Sequence, residues 1–188
     1  AKIEIMEKLA IIGCGTMGHS IALSAAWAGI PVRMYGTNET DTKQGELGVM
    51  SKLKMLLKHE LLSEQELTLI KERILITTSM DDVLKDCTFV IEAAPENIDL
   101  KKNLFLHLDK VLKKDAILAS NTSGLSPTDI ASVATHPERI LVTHFWNPAH
   151  LVPLVEVVRG ERTNDASLKR TLELLHFMKK KPIEVKKE

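Results

Sequence analysis

The sequence is short of the features that mark several protein classes. It has two cysteines, Cys14 and Cys87, among 188 residues. Two thiols make no disulfide framework and fit a reducing, cytoplasmic setting. No charge of one sign predominates, because 25 basic and 25 acidic side chains cancel. That balance argues against nucleic acid or an anionic membrane as the main partner. No apolar run approaches the ~18 residues of a membrane span. The segment from Ala1 to Lys8 carries no stretch apolar enough for a signal peptide. Internal repeats, low-complexity segments and a metal-ligand pattern are missing as well.

What is present is an ordinary apolar fraction, 44 %, laid out in alternating patterns. Leu9-Ala10-Ile11-Ile12 is a short apolar run that ends in glycine and predicts a buried strand. Small apolar residues from Met17 to Trp27 predict a helix stopped by Gly29. Val32 to Tyr35 predicts a second strand, completing a β-α-β unit. From Asp41 to Arg73 the period becomes helical, with Leu47, Met50, Leu53, Leu56 and Leu57 on one face. Ser63 with Glu66 resembles a capping box and predicts a second helix from Glu64 to Lys71. A helical hairpin is therefore expected as an insertion over about residues 41–73. Further strands are expected at Ile74–Thr77, Thr88–Glu92, Ala116–Ala119, Ile140–Thr143 and Leu154–Val158, and near Pro182–Val185. Helices are expected at Leu100–Leu112 and Ala166–Lys179. The alternation predicts an α/β fold: a Rossmann-like, doubly wound, mainly parallel sheet in one domain over residues 1–188.

The run Gly13-Cys14-Gly15-Thr16-Met17-Gly18 follows the first strand and opens the first helix. In that context G-x-G-x-x-G is a dinucleotide signal. Gly13 allows the tight turn, Gly15 lets the backbone approach a pyrophosphate, and Gly18 lets helix and strand pack closely. Freed N–H groups at the helix start, including those of Thr16 and Met17, favour the anion. The acid that usually binds the adenosine ribose should end the second strand, yet that position is Gly36. Glu39, three residues on, is a candidate substitute. No arginine follows Gly36 to receive a 2′-phosphate, so NAD is favoured over NADP.

Several segments together resemble the L-3-hydroxyacyl-CoA dehydrogenase family. They are the glycine turn, Glu92-Ala93-Ala94-Pro95-Glu96-Asn97, Ala119-Ser120-Asn121-Thr122-Ser123, and His144-Phe145-Trp146-Asn147-Pro148 followed by Pro153-Leu154-Val155-Glu156-Val157. The resemblance implies that His144 is the general base and that Glu156 holds it in place. It implies that Ser123 hydrogen-bonds the substrate oxygen at C3 and that Asn147 shapes the site. Glu96, Lys101 and Asn121 are implied near the cofactor, which is NAD, and the implied substrate is an acyl-CoA. A histidine near neutral pKa suits removal of a hydroxyl proton while hydride leaves the same carbon. Three positions depart from the family pattern: Gly36, Trp146 in place of phenylalanine, and Gly124 in place of a second serine. The family's helical C-terminal domain, which carries most of a homodimer interface, is expected to be absent from this chain.

Lys52, Lys54 and Lys58 read as the solvated face of a helix, with a grip on CoA phosphates as the alternative. His19, His59, His107, His136, His150 and His176 receive no role. Two other functions remain open beside the leading one. The first is a dehydrogenase of a free 3-hydroxy acid or a sugar acid such as gulonate. The second is a non-catalytic dinucleotide-binding module.

Overall fold

A computed structural model describes residues 5–186. In chain order the elements are β1 (Leu9–Ile12), α1 (Thr16–Trp27), β2 (Val32–Tyr35), α2 (Glu39–Lys58), α3 (Glu64–Glu72), β3 (Ile74–Thr77), α4 (Met80–Leu84) and β4 (Phe89–Glu92). They continue with α5 (Ile98–Val111), β5 (Ile117–Ser120), α6 (Pro127–Ala131), β6 (Ile140–Phe145), β7 (Leu154–Arg159), α7 (Asp165–Phe177) and β8 (Lys181–Val185). The strands form one sheet in the order β3-β2-β1-β4-β5-β6-β7-β8. All pairings from β3 to β6 are parallel. The pairing of β6 with β7 is antiparallel, and β8 runs parallel to β7.

The reversal at β7 has a simple cause. Only residues 146–153 separate β6 from β7, and a parallel crossover needs about a dozen residues or more. The chain therefore doubles back, and His144 lands directly opposite Glu156. Before β8 the helix α7 intervenes, long enough for a crossover, and a parallel pairing returns.

Both faces of the sheet are covered, which is why β1, β4 and β5 are buried along their whole length. One face buries Leu9, Ile11, Met34, Ile91 and Leu141 against Ile21, Ala22 and Ala25 of α1 and Leu174 of α7. The other buries Ala10, Ile12, Val90 and Leu118 against Val83 of α4, Phe105 and Leu108 of α5, and Ile130 of α6. A third cluster joins Leu23 and Ala26 of α1 to Val49, Leu53 and Leu56 of α2 and Ile70 of α3. Helix α1 is thus pressed between sheet and hairpin, and its run of small apolar residues follows from having two buried sides. The expected capping box is present: the Ser63 hydroxyl accepts from the Glu66 N–H, and the Glu66 carboxylate accepts from the Ser63 N–H. Among the described residues no helix is long and apolar enough to cross a membrane.

In this order the sheet changes direction of winding between β1 and β4, and open α/β sheets bind ligands at that switch point, beyond the carboxyl ends of the strands. The turn after β1, the segment after β4 and the turn after β5 all lie at that edge.

Candidate active site

The glycine turn has the geometry that a bound pyrophosphate requires. Gly13 adopts φ +123°, and a Cβ there would stand 2.6 Å from the Ala93 carbonyl oxygen. A Cβ at Gly18 would stand 2.1 Å from the Gly13 carbonyl oxygen, so helix and turn touch backbone to backbone. At Gly15 a Cβ would meet nothing within 4 Å. Its glycine is therefore unneeded for packing and leaves an open cradle over the start of α1. Helix α1 also lacks a capping side chain and carries no acid in its first turn. Every other α-helix among the described residues has a capping Asn or Ser and an acidic residue in its first turn. The free N–H groups and positive end of α1 are thus suited to an anion. Cradle and uncapped helix together fit the diphosphate of a dinucleotide.

A cavity of about 340 Å³ adjoins this turn and is lined by Met17, Glu96, Lys101, Asn121, Ser123, His144, Trp146 and Asn147, among others. Met17 belongs to the first turn of α1, and His144 to the end of β6. One cavity therefore joins the pyrophosphate cradle to the expected base. Every residue anticipated in a catalytic or nicotinamide-side role is on its wall except Glu156, which stands behind His144.

The register of β6 and β7 sets the His144 and Glu156 pair. The Nδ1 of His144 lies 3.4 Å from Glu156 Oε1, and both side chains are partly exposed. With Nδ1–H donating to the carboxylate, Nε2 keeps its lone pair. Nε2 has no hydrogen-bond partner among the described residues. The Trp146 indole N–H donates to the same Oε1 at 2.9 Å, and its ring lies 5.0 Å from the imidazole, tilted by 58°. Trp146 therefore does something a phenylalanine there cannot: it helps anchor the carboxylate that orients His144. Asn147 precedes a cis peptide bond to Pro148 and lines the same cavity.

Beneath the cavity lies a polar network that the sequence reading did not anticipate. Glu92 ends β4 with no exposure, and Lys101 of α5 is 2 % exposed. Lys101 Nζ lies 2.5 Å from Glu92 Oε2 and donates to the Ala94 carbonyl at 3.1 Å. Glu92 also accepts from the Ser120 hydroxyl at 2.5 Å and the Ala94 N–H at 2.6 Å. A buried carboxylate needs partners of this kind. The available signal was a glutamate closing an apolar strand. Lys101 touches the cavity wall, but its charge faces Glu92, and Glu96 is farther away at 3.8 Å.

Glu96 bridges to the turn after β5. It accepts from the Thr122 hydroxyl at 2.6 Å, the Ser123 N–H at 3.2 Å and the Ser123 hydroxyl at 3.3 Å. Burial raises the Glu96 pKa, but those bonds and the Lys101 charge outweigh burial and hold the carboxyl below its usual range. Asn121 accepts the Phe145 N–H at 2.8 Å, tying the ends of β5 and β6 together. Its amide NH₂ has no partner among the described residues and borders the cavity.

The lysines of α2 divide. Lys54 and Lys58 are exposed, as a solvated face requires, but Lys52 corrects the reading. Its Nζ lies 2.6 Å from His19 Nε2, while His19 Nδ1 lies 3.1 Å from the Cys14 carbonyl oxygen. Lys52 donates, so His19 is neutral and donates onward to the glycine turn. Burial lowers the pKa of both groups, in keeping with that assignment. Gly48 makes the contact possible, because a Cβ there would lie 2.4 Å from the His19 ring.

Comparison with known proteins agrees with this geometry. Residues 8–188 match the family described as "3-hydroxyacyl-CoA dehydrogenase, NAD binding domain". The chain is 36 % identical to a 3-hydroxybutyryl-CoA dehydrogenase of Bradyrhizobium diazoefficiens, over 91 % of this chain and 58 % of that protein. It is 34 % identical to a probable 3-hydroxybutyryl-CoA dehydrogenase of Bacillus subtilis, over 96 % and 62 %. The (S)-3-hydroxybutyryl-CoA dehydrogenase structure from Ralstonia eutropha superposes with a TM-score of 0.93 at 37 % identity, over 97 % of this chain and 64 % of that one. The chain spans about three fifths of the length of the curated relatives it matches. It belongs to the family of NAD-binding domains of 3-hydroxyacyl-CoA dehydrogenases.

Proposed function

We propose that this chain binds NAD and supplies the base for oxidation of an L-3-hydroxyacyl-CoA to the 3-ketoacyl-CoA. The observation that carries the reading is that one cavity is lined both by Met17 of the cofactor turn and by His144, with Glu156 directly across the strand pair. A binding module has no use for a base so placed.

The roles follow from the bonds each group has free. The N–H groups at the start of α1, over the Gly15 cradle, hold the pyrophosphate. The Asn121 amide donates toward the nicotinamide end. His144 Nε2 accepts the substrate's hydroxyl proton, and Glu156 stabilises the imidazolium that results. The Ser123 hydroxyl donates to Glu96 over a long 3.3 Å bond, and a substrate oxygen at C3 can take that bond over. Glu96 and Asn147 keep the walls in place on either side. When bound, NAD supplies the hydride acceptor, while the protein contributes orientation and electrostatics.

The test is NADH oxidation by the purified protein with acetoacetyl-CoA, set beside NADH binding by calorimetry. His144→Gln is expected to lower turnover by about 100- to 10,000-fold while leaving the NADH dissociation constant unchanged. Equal losses in turnover and affinity would show a structural histidine and overturn the proposal.

A further inference from the structure

We infer that Asp41, in the first turn of α2, receives the adenosine ribose hydroxyls in place of an acid at the end of β2 and sets the preference for NAD over NADP. The inference rests on the cofactor part of the proposed function and adds a specificity residue to it.

The argument begins at Gly36. The position directly after β2 is where the ribose-binding acid of a dinucleotide fold belongs. Here a side chain would be crowded. A Cβ on Gly36 would lie 2.9 Å from Thr42 Cγ2, 3.0 Å from Cys14 Sγ and 3.1 Å from Asp41 Cβ. Helix α2 has closed over the strand end, and its first turn occupies the space. One of the atoms that crowds a side chain at position 36 is itself the Cβ of an acid. The Asp41 carboxylate therefore departs from within about one side-chain diameter of the point where a strand-end carboxylate would begin.

That carboxylate is positioned and half-committed. Its Oδ2 accepts from the Thr37 N–H at 3.2 Å and from the Thr37 hydroxyl. Its backbone is fixed by the Asn38 cap, whose side chain accepts the Asp41 N–H at 2.9 Å. Oδ1 has no partner among the described residues. Asp41 also faces the cofactor turn: after burial, its charge is the next cause that pushes the Cys14 thiol up to about 11. Cys14 lies between the first two glycines of the turn.

Ribose hydroxyls can donate, and a carboxylate can only accept, so a free Oδ1 suits a ribose diol. The same charge repels a 2′-phosphate. Residues 36–42 contain two acids, Glu39 and Asp41, and no base to offset such a phosphate. Of the two acids Asp41 is favoured, because Glu39 is exposed and no hydrogen bond of the described residues holds its carboxylate.

The experiment titrates the purified protein with NADH, NADPH and ADP-ribose, following heat or nucleotide fluorescence, with a thermal midpoint for each variant. The parent is expected to prefer NADH to NADPH. Asp41→Asn keeps the side-chain volume and is expected to weaken NADH and ADP-ribose by about 10- to 100-fold, the worth of a charged hydrogen bond, and to bring the NADPH-to-NADH ratio toward one. Thr37→Val, which removes the hydroxyl bond to Oδ2 but keeps the Thr37 N–H bond and the charge, is expected to weaken NADH by a smaller factor; its result stands even if Asp41→Asn fails to fold. Unchanged affinities in Asp41→Asn, or the loss appearing in Glu39→Gln instead, overturn the assignment. A parent protein that binds none of the three ligands at millimolar concentration overturns the cofactor reading itself, a distinguishable result.

Discussion

Replacing Lys101 with methionine tests whether the buried pair under the cavity is a structural strut. The stem of Lys101 is close in size to methionine, so packing is kept and only the Nζ is lost. Glu92 then retains the Ser120 hydroxyl and the Ala94 N–H but loses its only counter-charge while having no exposure to water. Leaving one partner of a buried pair alone costs about 3–5 kcal/mol. With a urea slope of about 2 kcal/mol/M, the unfolding midpoint of Lys101→Met falls by about 1.5–2.5 M. In a thermal scan the drop is about 6–20 °C, at about 2–4 °C per kcal/mol for a chain of this size. Glu92→Gln/Lys101→Met removes both charges and still offers Ser120 an acceptor. It should be clearly less damaged than the sum of its single variants, with a coupling of about 1–3 kcal/mol. Urea unfolding of all four proteins, followed by far-UV circular dichroism, completes the cycle. A single variant within about 1 kcal/mol of the parent, or a double variant equal to the sum, would refute the view that Lys101 neutralises Glu92 in a dry site.

Two further predictions separate folding from binding and concern pH. Gly18→Ala, whose Cβ would collide with the Gly13 carbonyl, is expected to cost about 3 kcal/mol, the upper range for overpacking. Gly15→Ala has an extended backbone, φ −69°, and open space around its Cβ, so thermal stability should hold while NADH affinity falls at least about tenfold; equal thermal losses in both variants would contradict the division of roles. His150 is pushed down from 6.5 to about 4, first by burial and then by the charges of Lys52 and Lys180. The unfolded chain therefore takes up this proton at higher pH than the folded one, and stability falls as pH drops from about 6.5 to about 4. His150→Asn should flatten the thermal midpoint over that window, and parallel profiles for parent and variant would disprove the assignment.

Much of the fold was legible because it depends on neighbours in sequence. The apolar runs of β1, β4 and β5 and the Ser63–Glu66 capping box are local patterns; β1 and the box appear where expected, β4 starts one residue later than expected, and β5 is displaced by one residue. The hairpin at residues 41–73 becomes α2 and α3, with α2 starting two residues earlier because Asn38 caps it. The strands expected at Ile140–Thr143 and Leu154–Val158 pair as neighbours, and their register sets His144 opposite Glu156. Other features could not be read locally. The Lys52–His19–Cys14 chain depends on α2 lying across α1, with Gly48 making the space. The Glu92–Lys101 pair joins a strand to a helix through a buried gap. Trp146 stood out in the sequence as a departure from phenylalanine, but only the fold shows that its indole N–H meets Glu156.

The opening glycine turn divides the same way. By itself the sequence determined that a strand, a turn without side chains and a helix follow one another, since steric limits at Gly13, Gly15 and Gly18 act over a few residues. It also marked Gly36 as the wrong residue for a ribose-binding acid. Only the tertiary structure decided why: α2 folds back over the end of β2 and brings Thr42 and Asp41 against that position, with Cys14 of the glycine turn on its other side. Contacts between elements far apart in the chain have no periodic signature. Their geometry exists only once the sheet, the hairpin and the turn have packed together.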